Sequence, residues 1–158
     1  RSVQEKIGYL PGEIAFMDNM TGEDFIRFMA NMKNMKDLQY AKKLTAYFDI
    51  DAKSKIKKMS KGMKQKIGLI IAFMQDATVL ILDEPTRGID VGAKFEIYQI
   101  MNKLAKQGVA IIMISSELPE ILGMSNRIYV MHEGKINGEF SHDEATQENL
   151  GLCSRRIS

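Results

Sequence analysis

Two segments in the second half of the chain, residues 78–82 and 109–114, are almost entirely apolar. Between them apolar side chains recur at helical spacing, and Gly108 follows as a helix terminator. The helical positions are Ala93, Ile97, Ile100, Met101 and Leu104. Strand, helix and strand in this order predict a parallel βαβ unit. Because neither strand alternates with polar residues, we expect the sheet to be buried on both faces.

The first half of the chain is predicted to form one short strand and three helices. The strand covers residues 6–10 and ends at Pro11 and Gly12. Thr21 and Ser60 are predicted helix caps, and another helix is predicted over residues 38–48. The faces expected to pack inward are Phe25, Phe28, Met29 and Met32 in the first helix, Tyr40, Leu44, Tyr47 and Phe48 in the second, and Met63, Ile67, Ile70, Ile71 and Met74 in the third.

The last third of the chain is predicted to add a short helix, a hairpin and a final helix. Pro119 suits the first turn of a helix that ends at Gly123. Residues 127–131 and 135–140 form the hairpin strands around a turn at residues 132–134. Ser141 is predicted to cap the final helix.

Length and composition describe an ordinary globular domain. The chain has 158 residues, of which 45% are hydrophobic and 27% charged, which argues against general disorder. No apolar run approaches the roughly 20 residues that a membrane-spanning helix needs. A single cysteine, Cys153, excludes an internal disulfide and agrees with a cytosolic setting. The sequence has no starting Met and no signal-peptide or lipidation pattern, so we expect it to be cut from a longer chain.

The net charge of +2 conceals a basic segment. Between Lys53 and Lys66 the chain carries seven lysines and no acidic residue. A solvated surface and an anion-binding surface both agree with this pattern. Nucleic acid is the weaker partner, because the chain has no Trp and the segment has no interleaved aromatic residues. Lysines outside residues 60–64 are expected to be solvated.

Asp83 and Glu84 are predicted to lie at the carboxyl end of a buried strand. Ligands of open α/β sheets bind at that edge. There, Asp83 could hold the Mg²⁺ of a nucleotide triphosphate through a water, and Glu84 could polarise an attacking water. A solvated strand end without chemistry remains open from the acid pair alone.

Ser60 and Gly62 open the third helix, and exposed amides at a helix start can bind an anion. Lys61 and Lys64 lie in its first turns, where positive charge opposes the helix dipole by about 0.3–1 kcal/mol each. A bound phosphate would relieve that conflict. A solvated helix start agrees equally with this segment alone.

Three motifs, taken in order and spacing, resemble the ATP-binding-cassette (ABC) ATPases. Residues 59–63 (MSKGM) resemble the family's signature motif, residues 80–85 (LILDEP) its Walker B motif, and residues 87–90 (RGID) its D-loop. The resemblance covers residues 5–140. It implies an α/β fold: a partial P-loop NTPase (RecA-like) parallel sheet with the ABC-specific helical subdomain and a late β-hairpin. The resemblance implies four divisions of the chain. Residues 1–12 would form the Q-loop strand of the core, and residues 13–76 the helical subdomain. Residues 77–150 would form the remaining part of the core, and residues 151–158 the tail.

The resemblance also implies roles for individual residues. Ser60 and Gly62 would contact the γ-phosphate of ATP bound to the opposite subunit of a head-to-tail dimer. Asp83 would support Mg²⁺, Glu84 would act on the attacking water, and Asp90 would communicate across the dimer. The full set of implied cofactor-binding residues is Gly12, Ser60, Lys61, Gly62, Met63 and Asp90.

The chain departs from the family pattern in three places. Gly12 stands where the family's Q-loop has Gln, which puts direct metal contact from this position in doubt. Ser116 occupies the place of the switch histidine, and a hydroxyl can bond a γ-phosphate but supplies no positive charge. No G-x-x-x-x-G-K-[ST] phosphate loop occurs in the 158 residues. We therefore expect these residues alone to bind ATP weakly and to hydrolyse it negligibly.

The two halves resemble different branches of the family. Residues 5–86 resemble ATPase subunits of ABC-2-type exporters, and the sequence from Arg87 resembles the second ATPase domain of ribose- and galactose-type sugar importers. A joint inside the shared DEPT sequence suggests a recombinant or a chimera, and leaves the transport direction open. Sequencing the parent locus on both sides of Thr86 tests this.

The implied function is that of the C-terminal portion of an ABC transporter ATPase. Its partners would be a second ATPase domain and a transmembrane subunit, which would hold the protein at the cytoplasmic face of the membrane. The alternative is a catalytically silent module that offers its signature motif to a complete partner. A soluble, non-transport ABC protein is disfavoured by residues 118–140, which are typical of transport subunits.

Overall fold

Three parallel strands form the centre of the first of two compact units. The computed structural model describes residues 6–75 and 77–155, and the chain divides into the two units between Ile114 and Ser115. The strands are β1 (Ile7–Leu10), β2 (Val79–Asp83) and β3 (Ala110–Ile114), with β2 in the middle. The helices of this unit are α1 (Gly22–Met32), α2 (Gln39–Tyr47), α3 (Lys61–Phe73) and α4 (Val91–Lys106), with a 3-10 turn at Ile56–Lys58. The predicted α/β architecture is confirmed.

Polar caps set the start of three of these helices. The side-chain oxygen of Thr21 accepts a hydrogen bond from the amide of Asp24, and that of Ser60 accepts one from Met63. Both caps were predicted from the sequence. Asp90 caps α4 in the same way. Each cap satisfies an amide that the helix itself leaves without a partner, an interaction of about 1 kcal/mol.

One face of the sheet is densely covered. Leu10, Leu80 and Leu82 point to this face and are buried. Helix α3 lies against β1 so closely that a Cβ atom at Gly8 would lie 2.8 Å from the carbonyl oxygen of Ala72. Helix α4 contacts β3, and the predicted stripe along α4 is buried as expected.

The opposite face is open, and the prediction of a sheet buried on both faces is wrong. Tyr9, Ile112 and Ile114 point to this face and are 53%, 54% and 50% exposed. The reason is the strand order. Both connections run in the same direction across the sheet, and right-handed crossovers then place both on the same face. An unbroken apolar run does not show which face of a strand is covered, because the side chains on both of its faces are apolar.

The helical faces differ in part from the prediction. In α1 the buried side chains are Phe25, Ile26 and Ala30, whereas Met32 is exposed. In α2 and its end the buried residues are Ala41, Leu44 and Phe48, whereas Tyr40 and Tyr47 have partly exposed rings. Tyr47 instead donates a hydrogen bond from its hydroxyl to Gln99. Amphipathic tyrosines lie at the edge of such a face because their hydroxyls need a polar partner.

Helix α3 is buried more completely than an amphipathic pattern predicts. All residues from Ile67 to Phe73 are buried, and its first turns are not. A Cβ atom at Gly68 would meet Leu10 Cδ1 at 2.9 Å and would overlap Ile14. The helix therefore runs from a polar start at Ser60 into the core of the first unit.

The second unit contains the predicted hairpin and two helices. Strands β4 (Arg127–His132) and β5 (Lys135–Ser141) pair antiparallel, and the turn residues Glu133 and Gly134 have φ values of 48° and 77°. Helix α5 (Leu118–Met124) has Pro in its first turn, as predicted. Helix α6 (Gln147–Arg155) is capped by Thr146, whose hydroxyl accepts from the amide of Asn149. The prediction that Ser141 caps this helix is wrong, because Ser141 bonds Glu144 in a preceding turn.

None of the helices in the described ranges combines the length and apolarity needed to cross a membrane. The four-part division of the chain at residues 12, 76 and 150 stays a prediction.

Candidate functional site

The predicted acid pair lies at the carboxyl end of β2. Asp83 is the last residue of the strand, and Glu84 begins the turn that follows. Glu84 has a φ of 49°, a left-handed conformation that residues with a side chain seldom adopt. Its amide donates to the carbonyl of Ile114 at 2.8 Å, and its carbonyl accepts from the amide of Arg87 at 3.1 Å. The chain therefore leaves the strand abruptly at Glu84 and holds both acids at the sheet edge.

Gly12 and Asp83 are brought together at this edge. A Cβ atom on Gly12 would lie 2.9 Å from Oδ2 of Asp83 and 3.2 Å from its carboxyl carbon. A side chain at position 12 would therefore require the Asp83 carboxylate to shift. Gly12, which stands where the family's Q-loop has Gln, therefore lies directly beside the carboxylate of Asp83.

The signature segment lies at the start of α3. Ser60 is exposed, and its Oγ is 3.2 Å from the amide nitrogen of Met63. A Cβ atom on Gly62 would lie 3.2 Å from the carbonyl oxygen of Gly88, and the aliphatic stem of Lys61 packs against Gly88. The signature segment and the RGID segment are therefore neighbours in space.

Gln65 connects the signature helix to the acid pair, and sequence reasoning missed it. Its Nε2 donates to the carbonyl oxygen of Glu84 at 3.1 Å and to that of Pro85 at 3.2 Å. The residue lies just after the segment with the strongest motif, but its type alone carries no signal because glutamine is common on helix surfaces. Only the fold brings its amide to the turn after β2.

A polar cleft of about 440 Å³ opens between the loop after β1 and the first turns of α3. Three basic side chains line it, Lys61, Lys64 and Arg87, together with Gly12 and Gln65. The ammonium of Lys64 is 3.7 Å from a carboxylate oxygen of Asp18, which offsets part of the positive charge. The cleft joins the position of the missing glutamine to the signature helix.

Asp90 acts as the cap of α4 and is exposed to solvent. Its Oδ1 accepts from the amide of Ala93 at 3.0 Å. This hydrogen bond to the charged form holds the pKa of Asp90 below its ordinary value, and nearby Lys66 adds a smaller effect in the same direction. The capping role explains its place in the chain. Its predicted communication across a dimer stays a prediction.

The basic segment is only partly a solvated surface. Lys53, Lys55, Lys57 and Lys58 are exposed, as expected. Lys66 is not fully solvated, because its ammonium donates to the carbonyl of Phe48 at 3.1 Å and lies 5.9 Å from the centre of that ring. Its role is to join α3 to the end of α2, and the expectation of a solvated side chain is wrong at this position.

Ser116 lies in the second unit, where its side chain is exposed. The neighbouring Ser115 bonds the buried carboxylate of Glu120 through its hydroxyl and accepts from the amide of Glu117 at 3.0 Å. These contacts shape the start of α5. The role of Ser116 toward a phosphate stays a prediction.

The donor set at the sheet edge fits a shared metal site rather than an all-protein one. Among the residues of the described ranges no three His, Cys, Asp or Glu side chains form a group that could hold a metal ion. Mg²⁺ is commonly held by one or two carboxylates together with phosphate oxygens and water. Asp83, a single carboxylate at the end of β2, suits that arrangement.

Comparison with known proteins places these features in context. The family model described as "ABC transporter" matches residues 1–87. The chain is 62% identical over 102 residues to a xylose import ATP-binding protein of Thermoanaerobacter pseudethanolicus. It is 59% identical over 92 residues to a ribose import ATP-binding protein of Yersinia pestis. These alignments cover 65% and 58% of the chain but only 20% and 18% of the relatives, so the chain spans about a fifth of their length.

Solved structures share the fold. One, described as the ATP-binding subunit of an ABC transporter, has a TM-score of 0.84 at 22% identity, covering 94% of this chain and 68% of that protein. Another, a dimeric bacterial ABC transporter cassette named MJ0796, has a TM-score of 0.78 at 17% identity, covering 87% and 63%. The prediction of a partial nucleotide-binding sheet with a helical part is confirmed by these likenesses.

Proposed function

The chain belongs to the ABC transporter family, and we propose that it is the C-terminal portion of a subunit that binds and hydrolyses ATP to drive transport. The observation that carries this proposal is the sheet edge itself. There Asp83 and Glu84 follow a buried strand, and Gln65 connects them to the helix that the signature segment begins. The fold joins the two acids to a helix start whose exposed amides suit an anion.

Within this proposal the two acids have separate tasks. Asp83 would hold Mg²⁺ together with water and phosphate oxygens, and the ion would neutralise charge on the β- and γ-phosphates. Glu84 lies one residue farther along, displaced from the strand by its left-handed backbone. Its carboxylate would orient and polarise the attacking water.

The start of α3 would serve an ATP bound to a second ATPase domain. Ser60 and Lys61 are exposed, and the first amides of a thirteen-residue helix point outward from this end. Ser60, Lys61, Gly62 and Met63 would contact that nucleotide, and Asp90 would contribute at the same interface. The dimeric state of a structural neighbour supports dimerisation.

The relatives favour a sugar as cargo and import as direction. Both sequence relatives described above carry import names, one for xylose and one for ribose. We propose that a transmembrane subunit receives the work of ATP hydrolysis and holds the protein at the cytoplasmic face of the membrane. The resemblance of residues 5–86 to exporter ATPases, and the chimera that it suggests, stay hypotheses.

A second function is favoured by the departures from the family pattern. The chain has Gly12 and Ser116 at two positions where the family pattern has Gln and His. A module of this kind would offer its signature segment to a complete partner without hydrolysing ATP itself. Ser116 would then bond a γ-phosphate without adding positive charge.

An ATP-binding measurement on two lengths of the protein tests the proposal. This chain alone is expected to bind ATP weakly and to release phosphate at the background rate. The protein extended upstream through a phosphate loop is expected to bind ATP and hydrolyse it. Glu84-dependent hydrolysis by this chain alone would contradict the proposal, and a native reading frame without such a loop would favour the silent module.

A further inference from the structure

We propose that Gln65 is a positioning residue that holds Glu84 in its working conformation and ties it to the signature helix. This inference rests on the proposed function for the role of Glu84, but its structural part stands on the contacts of this chain. The side-chain amide has two N–H groups, and they reach two successive carbonyl oxygens, those of Glu84 and Pro85. Both donors are therefore used in one bridge.

The bridge acts where the backbone needs support. Glu84 has a φ of 49°, and a left-handed residue of this kind persists only when its surroundings fix it. Its amide is held by Ile114 and its carbonyl by the amide of Arg87. Gln65 supplies a further bond to the same carbonyl, from a different element of the fold.

The position of Gln65 on α3 gives the bridge a second consequence. It lies five residues after Ser60, on the helix whose start is proposed to meet the ATP of a partner subunit. The helix end buried from Ile67 to Phe73 fixes α3 in the core. A displacement of the first turns of α3 would therefore pull on the carbonyls of Glu84 and Pro85 through one rigid amide. Gln65 thus links occupancy of the partner's site to the water-polarising carboxylate of its own chain.

Two variants remove the bridge in different ways. Gln65→Met keeps the length and volume of the side chain but has no donor, and Gln65→Glu keeps its shape but presents oxygens to two carbonyls. Gln75→Met and Gln75→Glu are the matched controls. Gln75 lies two residues after the end of α3 and is also half-buried, and its Nε2 donates to the carbonyl of Ile71 in that helix at 2.9 Å.

The first experiment measures amide hydrogen exchange in this chain without nucleotide. Both Gln65 variants are expected to speed exchange at Glu84 and Arg87 about fivefold or more, because each of the two hydrogen bonds that they lose is worth about fivefold. Exchange at Leu80 and Leu82 in β2 is expected to stay unchanged, which separates a loosened turn from a destabilised fold. The Gln75 variants are expected to leave the turn unaffected. Unchanged exchange at Glu84 and Arg87 in both Gln65 variants would overturn the proposal.

The second experiment measures ATP hydrolysis by the protein extended upstream. Gln65→Glu is expected to lower kcat about 10- to 100-fold and to leave KM for ATP within about twofold, because misplacement of a reacting group affects the chemical step. In a Glu84→Gln background the same substitution is expected to have no further effect, since Gln65 acts through Glu84. A full additional loss in that background, or an unchanged kcat with Glu84 intact, would overturn the positioning role.

The two experiments separate failure of this inference from failure of the proposed function. Hydrolysis that is indifferent to Glu84→Gln would contradict the proposed function, and the exchange data would still decide whether Gln65 holds the turn. Hydrolysis that depends on Glu84 but not on Gln65 would leave the function standing and remove the inference.

Discussion

The two faces of the three-stranded sheet have similar chemistry and different surroundings. Leu10 and Leu82 on one face are buried, whereas Tyr9 and Ile112 on the other are more than half exposed. An apolar side chain stabilises a fold only by the area that it removes from water. The first unit therefore covers one face of its sheet with its own helices and leaves an apolar surface on the other face.

Strand order produces this difference. With β2 in the middle and both crossovers running the same way, α3 and α4 fall on one face. Parallel sheets are ordinarily covered on both faces. Substitutions on the two faces of the sheet therefore test this description directly.

Leu82→Ala is expected to have the largest effect. Leu82 is fully buried on the covered face, and the substitution should lower the free energy of unfolding by about 2–5 kcal/mol through lost burial and a cavity. Chemical denaturation measures the change. A loss below about 1 kcal/mol would show that the face is less tightly covered than its burial indicates.

Gly68→Ala is expected to have the next largest effect. A Cβ atom there would overlap Ile14 and crowd Leu10, so overpacking should lower the free energy of unfolding by about 1–3 kcal/mol. The matched control is Gly123→Ala in α5, where a Cβ atom meets nothing within 4 Å. That control should stabilise its helix by roughly 0.5–1 kcal/mol. Equal effects at the two glycines, measured by thermal denaturation, would contradict the close approach of α3 to β1.

Ile112→Ala tests the open face of the sheet. Because Ile112 is 54% exposed, the substitution should change the free energy of unfolding of this chain by less than about 1 kcal/mol. If the upstream segment packs on this face, the same substitution in the extended protein should cost about 2 kcal/mol or more. Parallel denaturation of both lengths measures the difference. Equal costs in both would show that the face stays open.

Asp90→Asn is expected to have the smallest effect on the free energy of unfolding. It tests the cap of α4, a helix that helps to cover the closed face of the sheet. The native hydrogen bond from Ala93 lowers the pKa of Asp90 below 3.8. A lowered pKa means that the stabilisation is present above pH 3.8 and is lost as pH falls through the folded value. Asn retains the capping oxygen without titrating, so the variant should lack this component of the acid-induced loss. Superimposable curves of unfolding free energy for the two proteins between about pH 2 and 5, a range that spans the ordinary pKa of 3.8, would contradict this prediction.

Much of the fold could be predicted from local signals. The apolar stripe of α4, the caps Thr21 and Ser60 and the hairpin turn at Glu133 and Gly134 depend on residues close together in sequence.

The remainder depends on contacts that sequence patterns do not encode. The open face follows from strand order, which an apolar run does not specify. The bridge from Gln65 to Glu84 joins residues 19 positions apart, and its donor is an ordinary helix residue. Lys66 was expected in solvent, but its long stem reaches the carbonyl of Phe48. Each of these features depends on how the elements pack, and not on residues close together in sequence.

We propose that Glu84 polarises the attacking water in an ATP site, part of which this chain supplies. The direct measurement is steady-state phosphate release from ATP by the upstream-extended protein, with and without Glu84→Gln. We expect the substitution to lower kcat by about 100-fold or more while ATP binding persists, the loss typical of removing a general base. Equal rates in the two proteins would contradict the account.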